Sequence, residues 1–266
     1  IIKLFNNMNM NNYIQSQNKE CKDIKNRTPL LGGFIFIIPI LFYLLIIKSY
    51  KILLFLFLGT SIGFVDDYYK IKFKKSSKGL KRLTKLLLYF CHFIIYYLLF
   101  PNKILNNIDI IRNFIRYSVI LIGILVTDGI DGLLGSLSII SLVVLFLISH
   151  NYQNISLLSI FAIIPFLFRN INKASIFMGD TGSSFLGSLL FCLINDTNYK
   201  LPLASIYLLG FITSFLQQIT LKFNRRILTI SPFHHNLEKL NWKENEIVIF
   251  YNLIYIATLI LSIFVL

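Results

Sequence analysis

The stretch IFMGDTGSSFLG, Ile176–Gly187, sets an aspartate between two glycines where a long apolar run begins. How that run is read decides the fold. An Asp at the centre of a membrane helix costs at least about 2.5 kcal/mol, so this one is expected at a helix end and with a purpose. The rest of the chain argues for a membrane setting. Of 266 residues, 56% are hydrophobic, 25 are Phe and 14% are charged; the mean hydropathy is +0.70, too apolar for an ordinary soluble domain. Apolar runs near the ~17–20 residues that a bilayer-crossing helix needs recur at 31–48, 51–66, 83–100, 111–127, 132–149, 155–168, 177–195, 203–221 and 247–266. The expected fold is all-α, a polytopic integral membrane helix bundle with nine transmembrane helices in one domain, 1–266. The run at 155–168 is short and contains Pro165, so a hairpin or a tilt is expected there.

The net charge of +14 is not read as nucleic-acid binding, because the abundance of Ile, Phe, Lys, Asn and Tyr fits AT-rich coding. Its placement says more. With alternate connections assigned to one side, 1–30, 66–85, 169–174 and 222–246 hold 20 Lys/Arg, against six (Lys48, Lys51, Lys103, Arg112, Arg116, Lys200) on the other. The positive-inside rule makes the first side cytoplasmic, and every loop with a candidate functional Asp falls there. The opposite connections carry little that looks chemical, and Asp109 and Asp196 read as solvated loop residues. Cys21, Cys91 and Cys192 have no pair or ligand spacing, so no disulfide framework is expected. No cleavable signal pattern is present, and the start at Ile1 suggests that a preceding segment is missing.

Four places concentrate chemistry. GFVDDYYK puts Asp66 and Asp67 at a helix end, with Lys70 within helical reach of both. TDGIDG places Asp128 and Asp131 on one face of a turn, with Gly129 and Gly132 permitting close approach. FMGDTGS places Asp180 where a helix starts, and SPFHHN supplies His234, His235 and Asn236. Taken singly, such groups are often solvated caps, interfacial histidines or lysines facing lipid headgroups. Carboxylates at span ends on three segments, all on one side, imply a shared purpose. Oxygen-only acidic ligands beside Gly and Lys suit Mg²⁺, which takes one or two carboxylates and completes its shell with water and phosphate oxygens. The Asp residues are too many for one ion, so some must bind substrate, orient ligands or act as a base. A P-loop is absent and a zinc site is weak.

TPLLGG (28–33), DDYYK (66–70), TDGIDG (127–132), FMGDTGS (177–183) and SPFHHNLEKLNWKE (231–244), in this order, resemble the bacterial phospho-N-acetylmuramoyl-pentapeptide transferases. That family sits within the polyprenyl-phosphate N-acetylhexosamine-1-phosphate transferase superfamily. The resemblance covers nearly the whole chain. It implies a bundle of ten transmembrane helices, commonly dimeric, in the bacterial inner membrane with a cytoplasmic active site, the first helix lacking here. It also implies Mg²⁺-dependent transfer of phospho-MurNAc-pentapeptide from UDP-MurNAc-pentapeptide to undecaprenyl phosphate, which yields lipid I and UMP in peptidoglycan synthesis.

By motif, Asp66 and Asp67 resemble the family's paired catalytic aspartates, Asp128 and Asp131 its second acidic pair, Asp180 its Mg²⁺ ligand and Phe177 the aromatic that stacks on uracil. Asn170, Lys25, Thr28, Lys70 and Lys85 fall at substrate-binding positions. The chain departs from the family at Asn236 (a third His), Leu125 (Asn), Arg27 (Gly) and Tyr89 (Gln). The expected division of labour gives Asp180 the metal, helped by Asp67 or Asp128, and gives Asp66 the lipid phosphate. His234 and His235 take the sugar-side phosphate, and Asp131 with Phe177 the uridine. A sister GlcNAc-1-phosphate transferase is the nearest alternative; the 231–244 segment, with Trp242 and Glu244, favours the muramoyl form. A transporter would want carboxylates near span midpoints, and an inactive homologue is the remaining alternative.

Overall fold

The computed structural model describes residues 28–73, 79–101, 107–171 and 173–265, so the expectations for Cys21, Lys25 and Arg27 lie outside the described residues. Among the described residues ten helices follow one another: α1 Phe34–Ile46, α2 Tyr50–Lys72, α3 Arg82–Leu99, α4 Asn107–Thr127, α5 Leu133–Ile148, α6 Gln153–Asn170, α7 Gly179–Ile194, α8 Lys200–Leu221, α9 Phe233–Lys239 and α10 Glu244–Val265. A 3₁₀ turn, His150–Tyr152, leads into α6. No strand occurs among the described residues. All nine apolar runs are helices, so the expected polytopic membrane bundle is what the chain builds.

Length separates these helices in a way that hydropathy did not. α2, α3, α4, α6, α8 and α10 are long and apolar enough to cross a membrane, whereas α1, α5 and α7 are shorter apolar helices of 13, 16 and 16 residues. At 1.5 Å per residue the short ones cover about 20–24 Å, less than a hydrocarbon core of ~30 Å. Backbone turns set their starts. Gly132 (φ 80°) precedes α5, Gly179 (φ 71°) opens α7, and Leu31 (φ 74°) lies just before α1. Those turns are buried, with Leu31, Ile130 and Met178 all inside the protein. The run at 155–168 corrects the opposite way. It forms one helix to Asn170 with Pro165 inside it, and no hairpin; one missing N–H does not break a helix held on both sides by neighbours. α2 also continues six residues beyond its expected end, so Asp66, Asp67 and Lys70 stand on helix, with Lys70 and Lys72 in the last turn where the dipole favours cations.

α7 is the axis of the bundle. Every residue in it but Asp180 is buried, and it packs against α2, α4, α5 and α1. Small residues make this possible. A Cβ on Gly59 would lie 2.1 Å from Ser188 Oγ, and one on Gly63 2.0 Å from the Asp180 carbonyl oxygen. Gly59-xxx-Gly63 on α2 thus meets Ser184-xxx-Ser188 on α7, the small-residue packing that lets membrane helices approach closely. Outward faces carry exposed Phe42, Phe57, Phe161 and Phe264, an apolar surface suited to lipid rather than water.

Candidate active site

The helix ends meet at one end of the bundle, where acidic and basic side chains interlock. Lys70 Nζ lies 2.7 Å from Asp66 Oδ2, 2.9 Å from Asp180 Oδ2 and 3.6 Å from Asp67 Oδ1. Lys85, near the start of α3, lies 3.3 Å from Asp66 Oδ2 and also pairs with Asp180 Oδ2. The Leu80 N–H donates to Asp66 Oδ1 at 2.7 Å. Two lysines therefore bridge one carboxylate from α2 to one from α7. Asp66, Asp67 and Asp180 can each offer an oxygen within 4.8 Å of the others. Asp180, Lys70 and Lys85 are the reachable members at 21% side-chain exposure, against 4% for Asp66 and 0% for Asp67.

Asp67 is already engaged. Its Oδ1 accepts the Asp180 N–H at 3.1 Å, and its Oδ2 accepts the Thr181 N–H at 2.8 Å and the Thr181 hydroxyl at 2.7 Å. The first N–H groups of a helix have no partner within it. Asp67 satisfies those of α7 from a different helix, and its charge complements the positive end of the α7 dipole.

The turn after α4 and the loop before α7 are stitched together. Asp131 Oδ2 accepts the Ala174 N–H at 2.8 Å. Asn170 Oδ1 accepts the Gly132 N–H at 2.9 Å, and its amide donates to the Ile176 carbonyl at 2.9 Å. The TPLLGG segment closes over the same loop: Phe177 N–H donates to Pro29 O at 2.9 Å, Gly32 N–H to Phe177 O at 2.7 Å, and Thr28 Oγ1 to Ala174 O at 3.4 Å. Asp131, Asn170, Thr28 and half-buried Phe177 are thus brought together as one framework leading into Gly179.

Asp128 stands half-buried at the turn. Burial first, then the charges of Asp180 and Asp67, pushes its carboxyl well above the usual carboxylate range, with Lys70 acting against them. The short helix α9, held between α8 and α10, brings both histidines onto this turn. A Cβ on Gly129 would lie 2.7 Å from His234 Nε2 and 2.9 Å from His235 Nε2, so a side chain there would displace the imidazoles. His234 is 1% exposed and its Nε2 has no hydrogen-bond partner among the described residues. Burial, with His235 adding to it, lowers its imidazole to about 3, so it is neutral at pH 7. His235 Nδ1 is paired with Glu238, which turns its Nε2 toward Gly129.

Two of these side chains were not singled out in the sequence. Thr181 carried no signal, because its partner is 114 residues away. Glu238 did carry one, standing three residues after His235 on a helix. The departures from the family pattern also find places. Tyr89 OH is 2.6 Å from Ser184 Oγ, Leu125 packs against the core, and Asn236 Oδ1 accepts from the Thr229 hydroxyl at 2.6 Å. Cys91 is exposed and Cys192 buried.

Residues 49–198 match the profile of glycosyl transferase family 4. Over most of its length the chain is similar to proteins named phospho-N-acetylmuramoyl-pentapeptide-transferase. With that of Petrotoga mobilis it is 33% identical, covering 97% of this chain and 90% of the relative. With that of Dictyoglomus thermophilum it is 30% identical, covering 96% and 88%, and with that of Thermotoga maritima 31% identical, covering 93% and 88%.

Proposed function

The chain belongs to glycosyl transferase family 4, a phospho-sugar transferase in the membrane, and from that premise we propose that it transfers phospho-MurNAc-pentapeptide from UDP-MurNAc-pentapeptide to undecaprenyl phosphate, making lipid I and UMP. The observation that carries this reading is the pair Lys70 and Lys85 bridging Asp66 to Asp180 at the bundle end. The relatives' printed name supports the choice of donor. The crowding of Lys/Arg on the connections at this end supports a cytoplasmic site in the inner membrane.

The chemistry brings two anions together. A lipid phosphate has a second pKa of about 6, so at neutral pH it is mostly a dianion and needs positioning more than deprotonation. Three carboxylates and two lysines leave the cluster formally negative, and Asp180 is its most reachable carboxylate. Oxygen-only carboxylates of this kind fit Mg²⁺, which Asp180 would hold with help from Asp128, whose carboxyl feels the Asp180 charge, because the Asp67 oxygens are engaged by α7. Mg²⁺ supplies charge neutralisation at the diphosphate.

The protein's own groups do the rest. Lys70 and Lys85 move from carboxylate to phosphate oxygens. Asp66, held by Leu80 N–H, orients the acceptor phosphate between them. The unpartnered His234 Nε2, in its N–H tautomer, donates to a donor-phosphate oxygen beside Gly129, and His235, oriented by Glu238, does the same. Asp131, Asn170 and Thr28 keep Phe177 in place for the uracil ring. An apolar groove of about 310 Å³ between α3 and α4, lined by Leu83, Leu86, Tyr89, Phe90, Phe114 and Ile122, includes residues on either side of Lys85 in the sequence and suits the polyprenyl chain.

The test is UMP release by purified protein given undecaprenyl phosphate and either UDP-MurNAc-pentapeptide or UDP-GlcNAc. Turnover of the first donor alone is expected. Turnover of the second alone would make this a GlcNAc-1-phosphate transferase, and turnover of neither by folded protein would end the proposal.

A further inference from the structure

The end of the bundle remote from the carboxylates carries a second polar site. A cavity of about 320 Å³ opens between the first turns of α4, the end of α7 and the start of α8, and every residue lining it is polar or charged. Three of the six Lys/Arg expected on that side, Arg112, Arg116 and Lys200, converge there. Arg112 is paired with Asp109 and is mostly exposed at the rim. Arg116 stands within the apolar window Ile108–Thr127 of α4, where a cation is costly unless paired or in use. Its hydrogen-bond partner is a neutral amide, Asn195 Oδ1, whose own Nδ2 donates to Tyr96 OH at 2.9 Å. Lys200 makes no ion pair within 4 Å and no hydrogen bond among the described residues. The other carboxylate lining the cavity, Asp196, accepts from the Tyr152 hydroxyl.

We propose that this cavity binds the phosphodiester of an anionic phospholipid, with Arg116 and Lys200 as its two cations and Arg112 at the rim. Neither Arg116 nor Lys200 makes an ion pair within 4 Å among the described residues, and a guanidinium matches phosphate oxygens two at a time. Three cations and two carboxylates line the cavity, a formal charge of one positive, which complements a monoanionic diester better than dianionic free phosphate. The cavity opens at the ends of membrane helices, the depth at which lipid phosphates lie.

Binding of phosphatidylglycerol to the full chain in detergent micelles is measured by native mass spectrometry, for wild type, Lys200→Gln and Arg116→Gln/Lys200→Gln. At on the order of 1 kcal/mol for each cation, the expected loss is about fivefold for the single variant and about thirtyfold for the double. Arg116→Lys and Lys200→Arg should retain binding, and UMP release should be unchanged throughout. Lipid bound at the catalytic end is common to all these proteins and cancels in the comparison. Equal phosphatidylglycerol affinity in wild type and double variant would overturn the site; if the double variant does not fold, Lys200→Gln alone decides it. Displacement of the variant-sensitive lipid by millimolar inorganic phosphate would overturn the lipid assignment.

Discussion

Asp67 on α2 holds Thr181 on α7 by two donors at once, accepting its backbone N–H at 2.8 Å and its hydroxyl at 2.7 Å on the same carboxylate oxygen. The contact fixes where α7 starts and therefore where Asp180 points. Asp67→Ala leaves those donors buried without a partner, at a cost of about 1–3 kcal/mol. Thermal stability and UMP release should fall together. Asp67→Asn, which keeps one acceptor oxygen, should be intermediate in both. Loss of turnover with an unchanged melting temperature in Asp67→Ala would assign Asp67 to chemistry instead.

Gly63 faces the Asp180 carbonyl so closely that a Cβ would sit 2.0 Å from its oxygen. Gly63→Ala must push α2 from α7 at the level of the cluster. Overpacking of this kind costs about 1–3 kcal/mol, and a displacement near 1 Å at reacting groups costs on the order of a hundredfold in rate. Gly210→Ala is the control, since its Cβ would approach Thr127 Oγ1 only to 3.3 Å. Melting curves and UMP release for both variants check the contrast; equal tolerance would contradict it.

Much of this architecture was legible in the sequence. The nine apolar runs, DDYYK and FMGDTGS located the helices and the carboxylates, because hydropathy and an isolated Asp are local signals. The short lengths of α1, α5 and α7 were not legible, because turns at Leu31, Gly132 and Gly179 are set by tertiary packing rather than hydropathy. Periodicity could not show that Asp67 is occupied by α7, since a cap supplied from another helix leaves no pattern. The remote end was read as chemically plain, and only folding brings Arg112, Arg116 and Lys200 together.

His234 gives the protein a predictable acid response. Its folded value of about 3 lies below the unfolded value of ~6.5, so the native state binds fewer protons. Its contribution is complete above pH 6.5 and is lost as the pH falls toward 3, by up to about 1.4 kcal/mol per pH unit. Asp128 works in the opposite sense. Its carboxyl is raised, so its contribution is present below the unfolded value of ~3.9 and is lost as pH rises through the folded value. The melting temperature of wild type should therefore drop more between pH 6.5 and 4 than that of His234→Gln. Parallel curves would contradict a buried neutral His234.

The most direct measurement is UMP release from UDP-MurNAc-pentapeptide and undecaprenyl phosphate, titrated with Mg²⁺, for wild type and Asp180→Asn at matched thermal stability. The account predicts Mg²⁺-dependent turnover in wild type and a loss of at least about a hundredfold in the variant. Near-normal turnover by Asp180→Asn at limiting Mg²⁺ would contradict the placing of the reaction at the cluster that Lys70 and Lys85 hold together.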